Sequence, residues 1–158
     1  MLITPHVMAG TAIGLAVGNP VAGFVFGVAS HFVLDAVPHT DPGTWHYNEA
    51  FSSHSLDIRD FTTAGLDVAS AVFGFALLSG SAPLIAAGPI AGAIGGALPD
   101  LFVVLGLVFK KLPTWRGLKW YYDLVEKYHY TARPSQWVLG VVTQLAVIAG
   151  ALVYILSK

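Results

Sequence analysis

A chain of 158 residues that is 55% hydrophobic and only 11% charged lies far from ordinary soluble domains, which carry roughly 25% charged residues. That balance indicates one integral membrane domain spanning residues 1–158, helical and polytopic. A net charge of −1 offers nucleic acid no electrostatic footprint, and the lack of cysteine excludes disulfides and thiolate metal sites.

Five apolar segments follow one another along the chain. The first covers residues 4–18 and is closed by the turn signal Asn19-Pro20. Because no basic region or A-x-A-like site accompanies it, it reads as a first membrane helix and not a removable signal peptide. The second covers residues 21–37 and stops at Pro38, since a residue preceding proline is pushed out of helical geometry. The third begins near Phe61, with Asp60 as its expected cap, and fades at residues 79–81. The fourth covers residues 83–109 and contains Pro89 and Pro99; the fifth follows Pro134 and reaches Leu156. A bilayer core takes about 20 helical residues, so the last three segments qualify and the first two are marginal.

Two polar connections separate these segments. Residues 39–60 are rich in His, Ser and Asp, and His46 and His54 read there as solvated loop residues. Residues 110–133 contain W-R-G-L-K-W-Y-Y-D-L-V-E-K-Y, which suits an amphipathic helix in the headgroup region or a simple aromatic belt. The predicted fold is therefore all-α: a membrane helical bundle of about five apolar helices plus an interfacial amphipathic helix. Glycines recur every fourth residue at 10, 14 and 18, at 23 and 27, and at 88, 92 and 96. Such stripes let helix backbones approach in lipid, so they are assigned to packing and not to chemistry. Five crossings would put Arg59, Lys110, Lys111, Arg116, Lys119, Lys127 and Arg133 on one face, leaving Lys158 alone on the other. By the positive-inside rule that basic face, with the N-terminus, is cytoplasmic.

Inside or beside the apolar segments stand His6, His31, Asp35, Asp67 and Asp100. An ionised residue at the centre of a membrane helix costs roughly 2.5–3.5 kcal/mol, so three aspartates could oppose insertion by on the order of 8 kcal/mol unless compensated. The expected topology brings all five toward the same face, together with the loop residues His39 and His129. His31 and Asp35 are one helical turn apart and stand above one another. Imidazole and carboxylate from adjacent turns are a common way to hold Zn²⁺ or a similar divalent ion. No arginine or lysine occurs within the apolar segments as an alternative partner. Each residue also has a plainer reading: the His31–Asp35 pair as a hydrogen-bonded clasp, His6 as an interfacial residue, Asp67 or Asp100 as a protonated helix contact.

T-P-H-V-M-A-G at the N-terminus, S-H-F-V-L-D-A-V-P-H-T-D after the second segment, G-G-A-L-P-D-L in the fourth and a histidine in the last loop together resemble the membrane-bound metal-dependent hydrolases of the YdjM type. The resemblance implies a helical membrane bundle with a divalent-metal site, and a hydrolase activity akin to zinc-dependent phospholipases C. Its matching ligands would be His6, His31, Asp35, His39, Asp100 and His129. The chain departs from the family in lacking a compact H-R-G-x-T-H-S motif, for which His46 and His54 are too far apart, and in having Tyr130 where many short relatives have a second histidine. On this reading the cofactor is a divalent metal, zinc foremost, with manganese or magnesium as alternatives. Asp67 or Asp100 would be the general base. The expected substrate is a phosphoester, a lipid headgroup or small molecule, and the expected location is the prokaryotic plasma membrane. Two competing classes are a proton- or metal-ion transporter and a non-catalytic scaffold braced by metal.

Overall fold

The computed structural model describes residues 1–41, 58–132 and 134–158, with the backbone alone at 59, 60, 107 and 134. His46, His54 and Arg133 lie outside the described residues. Among the described residues stand six α-helices: α1 (Ile3–Val17), α2 (Pro20–Asp35), α3 (Ile58–Leu78), α4 (Ala87–Val108), α5 (Arg116–Tyr128) and α6 (Trp137–Leu156).

Local signals account for most of the boundaries. Gly18 ends α1 in the left-handed region at φ 70°, returning its N–H to the Gly14 carbonyl at 3.0 Å. Asn19 then caps α2 by accepting from Ala22 N at 3.0 Å, with Pro20 at the first helical position. The helix ends at Asp35, ahead of Pro38. In α3, Asp60 lies within the helix and so does not precede it as a cap. Helix α4 starts at Ala87, after a turn that includes Pro83, and runs through Pro99.

Three helices, α3, α4 and α6, are long and apolar enough to cross a membrane, the three segments expected to qualify, and α1 and α2 are shorter apolar helices. At 1.5 Å per residue, the 15 residues of α1 and 16 of α2 rise only about 23 and 24 Å. A typical hydrocarbon core is about 30 Å thick.

Helix α4 is the centre of the bundle and packs against both α1 and α2. Their glycine stripes make that contact: a Cβ at Gly10 would overlap the Gly92 carbonyl oxygen, and one at Gly14 the Gly88 carbonyl oxygen. Backbone rides on backbone, the packing expected of helices held together by close contact. Burial is inverted relative to a water-soluble protein. Val21, Leu66, Phe73 and Val153 point outward, while His6, Thr11, His31, Asp35, His39 and Gln144 are buried.

The two ends of the bundle differ. Met8, Leu78, Leu84, Ala151 and Ile155 form an apolar cluster toward the end where α3 and α6 finish. The opposite end gathers the start of α1, the end of α2, the start of α6 and the connections around 39 and 129. Helix α5 is amphipathic, with Tyr122 and Val125 buried and Trp120 and Lys119 exposed. It is fastened to α4 by Tyr121 and Tyr122, whose hydroxyls donate to the carbonyls of Pro99 at 2.7 Å and Phe102 at 2.8 Å.

Candidate metal centre

Asp35, the last residue of α2, is the hub of the polar end. Its Oδ1 lies 3.0 Å from His6 Nε2, and its Oδ2 lies 3.1 Å from His31 Nε2 and 3.2 Å from His129 Nδ1. Neighbouring turns of α2 present His31 and Asp35 together, as their spacing requires. His6 arrives from α1 because α1 meets α4 without side chains between them: a Cβ at Gly96 would overlap the His6 carbonyl. The rings of His6 and His31 stack with centroids 3.9 Å apart.

The second half of the cluster is built by two loops lying side by side. Tyr130 N donates to the Asp35 carbonyl at 2.8 Å, and Ala132 N to the His39 carbonyl at 2.7 Å. This pairing of His39 with Thr131 brings His39, Asp41 and His129 together. His39 Nε2 and His129 Nε2 each lie 2.9 Å from Asp41 Oδ2 and 3.2 Å from one another. The α-amine of Met1 stands 2.5 Å from Asp35 Oδ1 and 2.7 Å from His39 Nε2.

Hydrogen bonding fixes two of the imidazoles. His31 Nδ1 is 2.9 Å from the Gly96 carbonyl, and His39 Nδ1 is 2.8 Å from the Val37 carbonyl. A carbonyl only accepts, so both Nδ1 atoms carry a proton and a neutral ring turns its Nε2 lone pair inward. That of His31 faces carboxylate oxygens, and that of His39 faces both the Asp41 carboxylate and the α-amine of Met1, a cation 2.7 Å away. A lone pair against a carboxylate is repulsive unless the rings are protonated or a cation lies among the atoms. The same backing, a ring N–H given to a carbonyl, is what orients histidines that ligate metals. Further polar atoms fit that reading: among the described residues, Asp100 Oδ2 and His6 Nδ1 are buried without a hydrogen-bond partner. Two His/Asp groups here can hold a metal ion: His6, His31 and Asp100, and Asp35, His39 and His129. Donor atoms within each group lie within 4.8 Å of one another.

In the loops, burial works against charge on His129, but Asp35 and Asp41 outweigh it and raise its pKa to about 9. Asp41 is held well below the usual carboxylate range: burial opposes ionisation, and the Met1 amine, His129 and His39 more than offset it.

Of the residues singled out from sequence, His6, His31, Asp35, His39, Asp100 and His129 converge. Asp67 does not. Its carboxylate accepts from Ile3 N at 2.5 Å and Thr4 N at 3.1 Å, and from the Thr4 hydroxyl at 2.6 Å. These contacts satisfy orphan donors in the first turn of α1, so Asp67 is a cap supplied from a neighbouring helix, outside the cluster. The sequence reading also passed over two contributors. Asp41 closes the quoted S-H-F-V-L-D-A-V-P-H-T-D stretch, two residues beyond His39. Gln144 is a polar residue in the otherwise apolar α6; it donates to the Thr40 carbonyl at 2.6 Å and accepts from Leu2 N at 3.0 Å. A polar side chain in a membrane-length helix was the available signal.

The chain matches no protein-family model, no curated protein and no solved structure.

Proposed function

We propose that this chain is a membrane-bound, metal-dependent hydrolase of the YdjM type, acting on a phosphoester at the membrane surface. The observation that carries the reading is the convergence of His31 Nε2 and His39 Nε2 on Asp35 and Asp41, with each Nδ1 proton already given to a carbonyl. His31, His39, Asp35 and Asp41 would hold a divalent metal there, which would supply a water of near-neutral pKa and polarisation of a phosphoryl oxygen.

The protein's own groups supply the rest. Asp100 is the better general base of the two aspartates considered, because Asp67 is spent on the backbone of α1. Its Oδ1 lies 3.7 Å from His31 Nε2, its Oδ2 is buried without a partner, and its side chain is 24% exposed. His129, at the same end of the bundle, is 22% exposed. Trp115, Trp120 and Tyr128 on and beside α5 are exposed and suit a helix at headgroup depth. Lys110, Lys111, Arg116 and Lys119 nearby favour an anionic headgroup. These basic residues also favour a cytoplasmic polar end.

The transport reading is weaker here, because a pathway needs polar groups through to the far face. That half of the bundle is filled by Met8, Leu78, Leu84 and Ile155.

The test is bound-metal analysis of the detergent-purified protein, with phosphodiester release measured before and after chelation. Stoichiometric metal, chelator-sensitive release and loss of release in His31→Ala and Asp35→Ala are expected. A metal-free protein, or release unchanged in both variants, overturns the proposal.

A further inference from the structure

The polar cluster holds more donors than one ion can use, and they fall on two sides of Asp35. On the first side, His6 Nε2 and His31 Nε2 approach the Asp35 oxygens at 3.0 and 3.1 Å, and Asp100 Oδ1 stands 3.7 Å from His31 Nε2. On the second, His39 Nε2, His129 Nε2 and Asp41 Oδ2 form a triangle with edges of 3.2, 2.9 and 2.9 Å. Asp35 borders this triangle through Oδ1, 3.9 Å from His39 Nε2, while its Oδ2 meets the other ring nitrogen of His129, Nδ1, at 3.2 Å.

Ligand atoms about 2.1 Å from a shared ion stand about 3.0–3.4 Å apart in octahedral or tetrahedral geometry. Most of the separations on both sides are of that size. A four-coordinate ion on the second side alone would leave His6 Nδ1 and Asp100 Oδ2 buried without a partner, and one on the first side alone would leave the facing imidazoles of His39 and His129 sharing the α-amine of Met1 with Asp35 and Asp41. Sharing Asp35 removes the surplus, since each side then supplies three side chains of its own plus one Asp35 oxygen. Charge permits this division: Asp35, Asp41 and Asp100 with the α-amine of Met1 sum to −2, so one divalent ion neutralises the cluster and a second makes it positive, as suits an anionic ligand, without requiring protonated rings.

We infer that the chain holds two divalent ions bridged by Asp35, one bound by His6, His31 and Asp100 and the other by His39, Asp41 and His129. The inference rests on the metal-binding half of the reading above and is independent of hydrolysis. Pairs of ions about 3.5–4 Å apart are a recurrent arrangement for displacement at phosphorus. Asp41 and the bridging role of Asp35 are the new assignments.

The experiment uses the full chain in detergent, stripped with chelator, reloaded with zinc and gel-filtered, with zinc per chain read by mass spectrometry. The wild type is expected to carry two. A His39→Ala/Asp41→Asn variant and a His6→Ala/Asp100→Asn variant, each keeping wild-type helical circular dichroism, are expected to carry one, and Asp35→Asn fewer than one. Cobalt supplies a readout that needs no variant: a second equivalent should quench the paramagnetic signal of the first through the shared carboxylate. One ion or none in the wild type, or two cobalt ions without magnetic coupling, overturns the inference. So does a folded half-site variant that loses both ions. Two bridged ions without phosphodiester turnover would uphold the inference and refute the hydrolase, whereas one ion with turnover would do the reverse.

Discussion

His31 Nδ1 donates to the carbonyl of Gly96 at 2.9 Å, so a glycine-packed helix sets the tautomer of a histidine on its neighbour. The same glycine lies against the His6 carbonyl. Packing and chemistry are thus coupled: α4 can orient His31 and position His6 only because no side chain separates it from α1 and α2.

Substituting Gly92 should expose that coupling. A Cβ there would overlap the Gly10 carbonyl and lie 3.0 Å from Gly14 Cα, both backbone atoms that cannot swing aside. Gly92→Ala is expected to push α1 from α4, destabilise the fold by about 1–3 kcal/mol and weaken metal binding by separating His6 from His31. Gly65→Ala meets nothing within 4 Å and should leave both properties unchanged. Thermal unfolding in detergent and zinc titration of the two variants make the comparison. Equal behaviour would refute the proposed link.

Asp67 should behave as a cap and not as a base. Its oxygens accept from Ile3 N, Thr4 N and the Thr4 hydroxyl, and removing a capping acceptor costs about 0.5–2 kcal/mol. Asp67→Ala is expected to lower the melting temperature while leaving the zinc content unchanged. Asp67→Asn, which keeps one acceptor oxygen, should recover part of the loss. A variant of normal stability that fails in phosphodiester release alone would return Asp67 to the site.

The sequence exposed what depends on neighbours a turn apart. Helical spacing paired His31 with Asp35, four-residue glycine repeats marked the contacts of α1, α2 and α4, and Asn19-Pro20 located the first turn. Asp41 was not legible by that route. It meets His129 through two loops paired at His39 and Thr131, a contact between segments about 90 residues apart that no local period encodes. Asp67 misled for a related reason: intramembrane carboxylates attract a functional reading, but the donors it serves belong to the start of another helix. Gln144 escaped because an isolated amide has no periodic partner; its role emerges only where Thr40 and Leu2 meet α6.

Metal should offset the pH dependence of stability. In the metal-free protein His129 has a pKa of about 9, raised from 6.5 by Asp35 and Asp41 against the effect of burial. A raised folded-state pKa contributes stability that is fully present below pH 6.5 and is lost as the pH climbs through 9. Metal requires the deprotonated ring, so its apparent affinity rises over the same interval. With chelator present, the melting temperature is expected to fall from pH 6.5 to 8.5. With stoichiometric zinc, the zinc-dependent increase in melting temperature should grow over that range. Parallel curves with and without zinc would show that His129 does not exchange its proton for metal.

Gln144 is expected to position the second half of the cluster without touching metal. Its amide donates to the Thr40 carbonyl at 2.6 Å and accepts from Leu2 N at 3.0 Å. It thereby ties the residue between His39 and Asp41 to the chain preceding α1. Gly140 leaves room for this loop, since a Cβ there would overlap the Thr40 hydroxyl. Gln144→Leu removes both hydrogen bonds and leaves a buried carbonyl unpaired, at a cost of about 1–3 kcal/mol. Loss of an outer-shell partner typically reduces metal affinity by about 10–100-fold. If two ions bind, competition titrations with a chelator should show that reduction for the ion at His39, Asp41 and His129, and little change for the one at His6, His31 and Asp100. An equal reduction at both ions would mean that Gln144 supports the whole bundle, while no reduction at either would remove it from the site.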